Sequence, residues 1–331
     1  MHTFIKQILE SDKRIAIPIM THPGIEAIEK TVYDAVSCGD THYQAIKNVT
    51  ETYNTFACTV IMDLTVEAEA FGCEIDMPKH EVPNVIGRLV CDEASVNQLQ
   101  VPSLSAGRAP EYLKANQLAV ENIADKAVLS GCIGPFSLAG RLYDMSEIMV
   151  AIYIEPEVIT TLLDKCTTYI IAYCKRLKEL GVTGVIMAEP AAGLLSNDDC
   201  MEYSSVYVKQ VVEAVQDENF TVILHNCGNK GHCTPAMIET GAAALHFGNA
   251  ANMLDTLKQC PDNIVVMGNI DPVGILKQAS PEQVYQVTMD LLKETATYKN
   301  FVISTGCDMP PEVPEANIIA FYKAINDFNN A

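Results

Sequence analysis

The chain has 331 residues, of which 49% are hydrophobic, so it can bury a large core in one big domain or two ordinary ones. Its formal net charge is −20, which argues against a nucleic-acid partner because phosphate binding requires a basic face. The sequence holds only five arginines, whereas a ligand with many carboxylates or phosphates normally meets more guanidinium groups.

The twelve cysteines are scattered along the chain and never form a C-x-x-C pair. No signal-peptide pattern opens the sequence, and no apolar run reaches the roughly 18 residues of a membrane-spanning helix. These features predict a cytoplasmic protein with no membrane partner and with mostly free, buried thiols.

Short apolar runs alternate with amphipathic stretches along the chain, which predicts strands alternating with helices. Strands are predicted at 15–20, 58–64, 127–133, 183–188, 221–225, 243–247, 263–268 and 300–305. Helices are predicted at about 3–12, 25–36, 41–55, 109–124, 137–152, 156–180, 198–217, 233–240, 251–259, 281–297 and 314–328. The stretch 73–105, which is punctuated by prolines, is predicted to be irregular.

Eight apolar strands separated by helices predict an α/β fold, a closed (β/α)8 TIM barrel whose strands are buried on both faces. We expect residues 1–331 to form a single barrel domain with a short N-terminal helical extension. An open doubly wound sheet is the alternative, and it is weakened by the lack of a G-x-G-x-x-G turn after the first strand.

A pair of metal-ligand residue types ends the fifth predicted strand. His225 and Cys227 are two positions apart, so their side chains point to the same face, and a nitrogen-plus-sulfur pair suits Zn²⁺. Cys307 ends another apolar run and is the best candidate for a third ligand, and Glu189 is a candidate fourth ligand. In a barrel these residues would meet at one rim, where catalysis takes place.

Other polar residues also fall at strand ends. His22 follows the first predicted strand, Asp63 lies near the end of the second, and Asp271 follows the seventh. Glu67 and Glu69 follow Asp63 in the chain. They are interpreted as solvent-exposed residues or as residues that contact the metal ligands without binding the metal.

Simpler interpretations exist for the same residues. A cysteine in a cytosolic protein is more often a small core residue than a ligand, and ten of the twelve are interpreted in that way. Glu189 precedes a proline and could simply accept backbone N–H groups in a turn. His246 could be a hydrogen-bonded rim histidine, and His232 and Cys233 are rival ligands close behind the His225 motif.

These motifs together resemble the uroporphyrinogen decarboxylase superfamily and, within it, the cobalamin-dependent methyltransferases such as methylcobamide:coenzyme M methyltransferases. The zinc signature of that branch is similar to His225-Asn226-Cys227, which is separated from Cys307 by 79 residues. The resemblance spans nearly the whole chain. The segments that carry it are 63–72, 134–140, 189–193, 268–272 and 304–308.

The resemblance implies methyl transfer between a corrinoid and a thiol, such as coenzyme M, that is activated by zinc. The corrinoid would arrive on a partner corrinoid protein, because this chain has no Asp-x-His-x-x-Gly segment. Asp271 and Asp308 would contact the zinc ligands, without binding the zinc themselves, or would contact the substrate. Candidate substrate-binding residues are Asn269, His22, His246 and Arg141, the last as a partner for a sulfonate.

Three alternatives stay open at this point. The methyl group could flow in reverse, from a methyl ether, a methanol-like compound or a methylated thiol to Co(I). The chain could be a zinc-stabilised tetrapyrrole or corrinoid binder without catalysis, although structural zinc sites usually have four protein ligands. A decarboxylase-type lyase is the least favoured, because residues 18–24 after the first strand contain no arginine for substrate carboxylates.

Overall fold

A computed structural model describes residues 3–53 and 55–331. The strands are β1 Ala57–Thr59, β2 Glu74–Asp76, β3 Asn84–Ile86, β4 Ala127–Ile133, β5 Gly184–Ala188, β6 Thr221–Asn226, β7 Ala244–Phe247, β8 Val265–Ile270 and β9 Phe301–Thr305. The helices of the first half are α1 Thr3–Leu9, α2 His22–Ala27, α3 Val32–Ser37, α4 Gly39–Tyr53, α5 Val66–Phe71, α6 Glu93–Gln98, α7 Ala109–Asn122, α8 Pro135–Tyr143 and α9 Met145–Ile154.

The second half continues the alternation of strand and helix. Its helices are α10 Pro156–Glu179, α11 Asn197–Cys200, α12 Val206–Val215, α13 Thr234–Ile238, α14 Met253–Gln259, α15 Pro281–Glu294 and α16 Glu315–Asn329. A 3-10 turn covers Pro190–Leu194, and two wider π-type turns cover Met201–Ser205 and Pro272–Lys277. Within the described residues, no helix is both long and apolar enough to cross a membrane.

Seven of these strands form one parallel sheet in the order β1-β4-β5-β6-β7-β8-β9. Apart from the β2–β3 hairpin, which forms its own small sheet, strands that are neighbours in the parallel sheet are also consecutive in the chain. Helices therefore connect these strands across the outer face of the sheet. The result is a TIM-barrel-like α/β fold, as predicted. Ala188 lies opposite His225 in the sheet, and His225 lies opposite His246, which aligns the carboxyl ends of β5, β6 and β7.

The sheet curls around an apolar cluster to which every one of its strands contributes, and Leu129, Ile186 and Ile223 are among its fully buried members. Helix α1 packs Phe4 and Ile5 into the amino-terminal end of this cluster. The N-terminal helix therefore covers one end of the sheet and leaves the carboxyl end open for a site.

The predicted first strand at 15–20 is not a regular strand. Ala16 makes one isolated parallel bridge to Ile303 of β9, and the N–H of Ile17 donates to the carbonyl of Ile303 at 3.0 Å. Pro18 has no N–H and interrupts the ladder. Beyond it, the backbone N–H of Ile19 donates to the Thr305 hydroxyl at 3.1 Å, so a side chain replaces a strand partner.

The predicted second strand at 58–64 is shorter than expected and ends at Thr59. The next N–H groups are bound by side chains instead of by a neighbouring strand. Ile61 donates to His42 Nε2 at 3.2 Å, and Met62 donates to Asp308 Oδ2 at 3.1 Å. Polar side chains have replaced the ladder in this segment.

Several predicted helices are divided in the structure. The stretch 25–36 becomes α2 and α3, because Thr31 begins α3 with a capping box formed with Asp34. The stretch 137–152 becomes α8 and α9, because Asp144 has a φ of 100° and caps α9. The stretch 73–105, predicted to be irregular, contains the β2–β3 hairpin and α6.

Candidate metal centre

His225, Cys227 and Cys307 come together at the carboxyl end of the sheet. Their ligand atoms all lie within 4.8 Å of one another. His225 belongs to β6, Cys227 follows that strand, and Cys307 follows β9, so parallel strand ends bring the three together. Among the described residues they are the only group of three or more His, Cys, Asp or Glu side chains arranged in this way.

A chain of buried hydrogen bonds sets the orientation of the His225 ring. His225 Nδ1 lies 2.8 Å from His246 Nδ1, and His246 Nε2 lies 2.8 Å from the Ser304 hydroxyl oxygen. The Ser304 hydroxyl in turn donates its only hydrogen to the carbonyl of Ile17 at 2.7 Å. Ser304 must therefore accept from His246 Nε2–H, which leaves His246 Nδ1 as an acceptor for His225 Nδ1–H.

The other ring nitrogen of His225 then carries a free lone pair. His225 Nε2 is buried and finds no hydrogen-bond partner among the residues that the structure describes. An unpaired buried acceptor costs free energy unless something binds it. Metal-binding histidines have this arrangement, in which one nitrogen is hydrogen-bonded and the other faces the ion.

The two thiols interact directly. Interaction with the Cys307 side chain lowers the pKa of Cys227 to about 7. The same interaction, together with burial, raises the pKa of Cys307 to about 12. A Cβ added at Gly248 would lie only 2.6 Å from the carbonyl oxygen of Cys227, so glycine there lets the loop after β7 approach the ligand loop closely.

Glu189, the candidate fourth ligand, is not part of this group. Its carboxylate accepts from the backbone N–H groups of Phe136 and Ser137, each at 2.8 Å, at the start of α8. Burial raises the pKa of Glu189 to about 7, and these hydrogen bonds oppose that rise. The carboxylate is thus bound to a helix N-terminus, as in the simpler interpretation, because a buried carboxylate is stabilised by backbone donors there.

A cavity of about 230 Å³ adjoins His225, Cys227 and Cys307. His22 and Asp308, both predicted site residues, line it. His22 Nε2 lies 3.7 Å from Asp308 Oδ2, and burial lowers the pKa of His22 to about 4, so the imidazole is neutral near pH 7. His246 is not in the lining but lies directly behind His225.

Three other predicted substrate or catalytic residues are not in the cavity lining. Asn269 donates to the carbonyls of Gly248 and Ala251 at 2.8 and 2.7 Å and braces a loop. Asp271 accepts from Val273 and Gly274 N–H groups and caps the following turn. Arg141 lies half-buried in α8.

The rival residues take structural positions. His232 Nε2 lies 3.1 Å from the carbonyl of Leu195, and the Cys233 thiol lies 3.5 Å from the same carbonyl. Glu67 is only 1% exposed and accepts from the Ile133 N–H, so the interpretation as a solvent-exposed residue is wrong for it.

Ser304 and Gly248 are the site residues that sequence reasoning did not single out. Ser304 lies three positions before Cys307 in a strand whose side chains alternate, and a hydroxyl in an otherwise apolar run is a usable signal. Gly248 directly follows β7 and lies two residues after His246. A glycine at the end of a strand is a signal that another backbone segment approaches closely there.

Comparison with known proteins identifies the lineage. The profile of the uroporphyrinogen decarboxylase family matches residues 25–328. The chain belongs to the uroporphyrinogen decarboxylase family. The resemblance drawn from the motifs is therefore confirmed.

Relatives within the uroporphyrinogen decarboxylase family differ in their activities. A methylcobamide:CoM methyltransferase of Methanosarcina acetivorans is 28% identical over 266 residues, which cover 79% of this chain and 77% of that one. A uroporphyrinogen decarboxylase of Coxiella burnetii is 25% identical over 284 residues, which cover 82% and 77% of the two chains.

A solved structure supports the fold of this family member. A methyltransferase from Methanosarcina mazei superposes with a TM-score of 0.88 at 21% identity, covering 97% of each chain. At that identity the likeness establishes the fold alone.

Proposed function

We propose that this protein is a zinc-dependent methyltransferase that moves a methyl group between a corrinoid and a thiol such as coenzyme M. The proposal is carried by the arrangement of His225, Cys227 and Cys307, whose ligand atoms lie within 4.8 Å of one another at the wall of a cavity. His225 Nε2 is also buried and has no hydrogen-bond partner among the described residues. The corrinoid-linked name of the Methanosarcina acetivorans relative supports the same chemistry.

The donor set fits Zn²⁺. One imidazole nitrogen and two sulfurs are ligands that zinc accepts, and three protein ligands leave one position for a substrate. His225, Cys227 and Cys307 would hold the ion. Bound zinc lowers the pKa of a thiol from its ordinary value of roughly 8.5 and keeps it as a nucleophilic thiolate at neutral pH.

The proposed reaction makes one bond and breaks another. A sulfur–carbon bond forms between the thiol and the methyl group while the cobalt–carbon bond of the methylcorrinoid breaks. The electron pair of that bond stays on cobalt as Co(I), and the thiol proton leaves to solvent. The reverse direction, from a methyl ether, a methanol-like compound or a methylated thiol to Co(I), uses the same residues and remains the alternative.

The cavity supports delivery of the corrinoid by a separate corrinoid protein. Its volume of about 230 Å³ lies below the roughly 300–1,000 Å³ of pockets that enclose drug-sized ligands, and a corrinoid is larger still. The macrocycle would approach from the open carboxyl end of the sheet. A lining without arginine among the described residues argues against a decarboxylase acting on a carboxylate-rich tetrapyrrole.

We also propose that residues 1–331 form one closed barrel domain. The segment 15–21 would be its eighth strand. It bonds to β9 through Ile17, and on its other side the Thr21 hydroxyl donates to the carbonyl of Thr59 in β1 at 3.1 Å. These contacts on both sides support closure between the first and last strands of the sheet.

The proposed function is tested by methyl transfer in solution. Zinc-loaded protein is mixed with methylcobalamin and a thiol, and the loss of the methylcobalamin absorbance is followed together with the methylated thiol formed. We expect transfer that stops when zinc is removed with a chelator and returns when zinc is added back. Transfer that is equally fast without zinc would contradict the proposal.

The hydrogen-bond chain behind His225 gives a prediction about zinc affinity. We expect His246→Phe to weaken zinc binding by roughly 10–100-fold, because the ring can no longer accept from His225 Nδ1–H and fix the tautomer. Ser304→Ala should act in the same direction with a smaller effect, because it is one bond further away. Affinity is measured by competition with a chromophoric chelator.

Ser130→Ala is the matched control, because Ser130 is also a buried strand serine but lies outside the hydrogen-bond chain. It should leave the zinc affinity unchanged. Equal zinc affinity in the wild-type protein and the His246 variant would show that the chain does not orient the ligand.

A further inference from the structure

The cavity beside the metal ligands has a lining that is informative about the substrate. Eight of its thirteen lining residues are apolar, among them Met62, Leu64, Val82, Pro190 and Met309. The others are the three metal-ligand residues, His22 and Asp308. A substrate in this cavity therefore meets hydrocarbon on most sides once its sulfur faces the metal ligands.

The lining offers no positive charge. Among the described residues that line the cavity there is neither lysine nor arginine. Arg141, the residue expected to pair with a sulfonate, is not in the lining. An anion placed there would lose part of its hydration without gaining a lysine or arginine partner.

The adjoining cleft does not supply the missing charge. It shares His22 and Pro311 with the cavity and contains two lysines, Lys30 and Lys277. It also contains three glutamates, and Lys277 already pairs with Glu312 at 3.3 Å. An anionic tail that reached out of the cavity would thus enter a region with an excess of negative charge.

The size of the cavity limits the substrate further. Its volume of about 230 Å³ lies below the roughly 300–1,000 Å³ of pockets that enclose drug-sized ligands. That space suits a sulfur with a few attached carbon atoms.

We infer that the thiol used by this protein carries a small, uncharged, apolar substituent, so that its substrates are alkanethiols and its methylated partners are dialkyl sulfides. This inference rests on the proposed function, because it takes the three metal-ligand residues as the place where the thiol sulfur binds. It narrows the proposed function, in which coenzyme M was one example of the thiol, because the sulfonate of coenzyme M would meet no lysine or arginine among the described residues of this lining.

The test compares thiols of similar length on the zinc-loaded protein. Binding of 1-propanethiol and of 2-mercaptoethanesulfonate is measured by calorimetry in two buffers, so that proton release is obtained with the affinity. We expect 1-propanethiol to bind at least about tenfold more tightly. Equal or tighter binding of the sulfonate would overturn the inference and leave the proposed function intact.

A charge-adding variant gives an independent test. Val82 lines the cavity but is 36% exposed, so Val82→Lys places a cation at the wall without burying it fully. It should raise the affinity for 2-mercaptoethanesulfonate about tenfold relative to the affinity for 1-propanethiol. Val82→Met is the matched control and should not shift the preference.

These experiments distinguish a failure of the proposed function from a failure of the inference about the thiol. If the zinc-loaded protein binds neither thiol and releases no proton, the proposed function is wrong and the inference is lost with it. If Val82→Lys leaves the sulfonate affinity unchanged, the absence of a cation is not what sets the preference, and the inference alone is wrong.

Discussion

Cys307→Ala is expected to abolish zinc binding and methyl transfer while the fold is retained. The three ligand atoms lie within 4.8 Å of one another, and removing one sulfur leaves only two protein ligands. The loss of zinc affinity should exceed the roughly 10–100-fold loss expected when a residue that hydrogen-bonds to a zinc ligand is replaced. Zinc content is measured by elemental analysis after dialysis, and activity by the methylcobalamin assay.

Cys260→Ala is the matched control for this variant. Cys260 is a buried cysteine in the apolar core and does not belong to the group of three. It should keep its zinc and its activity, although it loses some stability because a small buried group is removed. If Cys307→Ala retained stoichiometric zinc after dialysis, Cys307 would not be a ligand and the site would need a different third residue.

Arg108→Met is expected to destabilise the protein by about 3–5 kcal/mol, because it leaves Asp63 buried without its cation. Arg108 Nη1 lies 2.6 Å from Asp63 Oδ2, and its Nε lies 2.6 Å from Glu69 Oε2. The Asp63 side chain is fully buried. Since Met62 and Leu64 on either side of Asp63 line the cavity, this ion pair also holds a wall of the site.

The effect is measured as the free energy of unfolding in urea. Arg176→Met provides the control, because Arg176 pairs with Glu179 at 3.0 Å in an exposed position and should contribute only about 0–1 kcal/mol. Adding Asp63→Asn to Arg108→Met should recover part of the loss by removing the unpaired charge. Equal costs for the two arginine variants would show that the buried pair is not needed for stability.

Much of the fold could be predicted from apolar runs and their punctuation. The strand predicted at 127–133 appears as Ala127–Ile133, and the helix predicted at 156–180 appears as Pro156–Glu179. The errors are concentrated where side chains replace backbone partners. His42 and Asp308 bind the N–H groups after Thr59, and hydrophobicity contains no information about such distant partners.

The grouping of the three candidate metal ligands could be predicted because residue type and strand position suffice for it. His225 and Cys227 fall at one strand end and Cys307 at another, and parallel strands align their ends. Glu189 satisfied the same criterion, yet its carboxylate binds the N-terminus of α8. Strand position places a residue at the rim but does not say which neighbour its side chain meets.

The composition of the cavity could not be predicted in the same way. Its apolar wall comes from segments far apart in sequence, including Met62, Pro190 and Met309, and each of them reads as an ordinary core or loop residue. Arg141 was a reasonable partner for a sulfonate by chemistry alone. Only the structure shows that Arg141 does not line the cavity.

The most direct test of the central claim is the metal content of the purified wild-type protein, measured by elemental analysis together with proton release on addition of 1-propanethiol. We predict one zinc per chain and about one proton released for each thiol bound. A protein that contains no zinc and does not take it up when zinc is supplied would contradict the account.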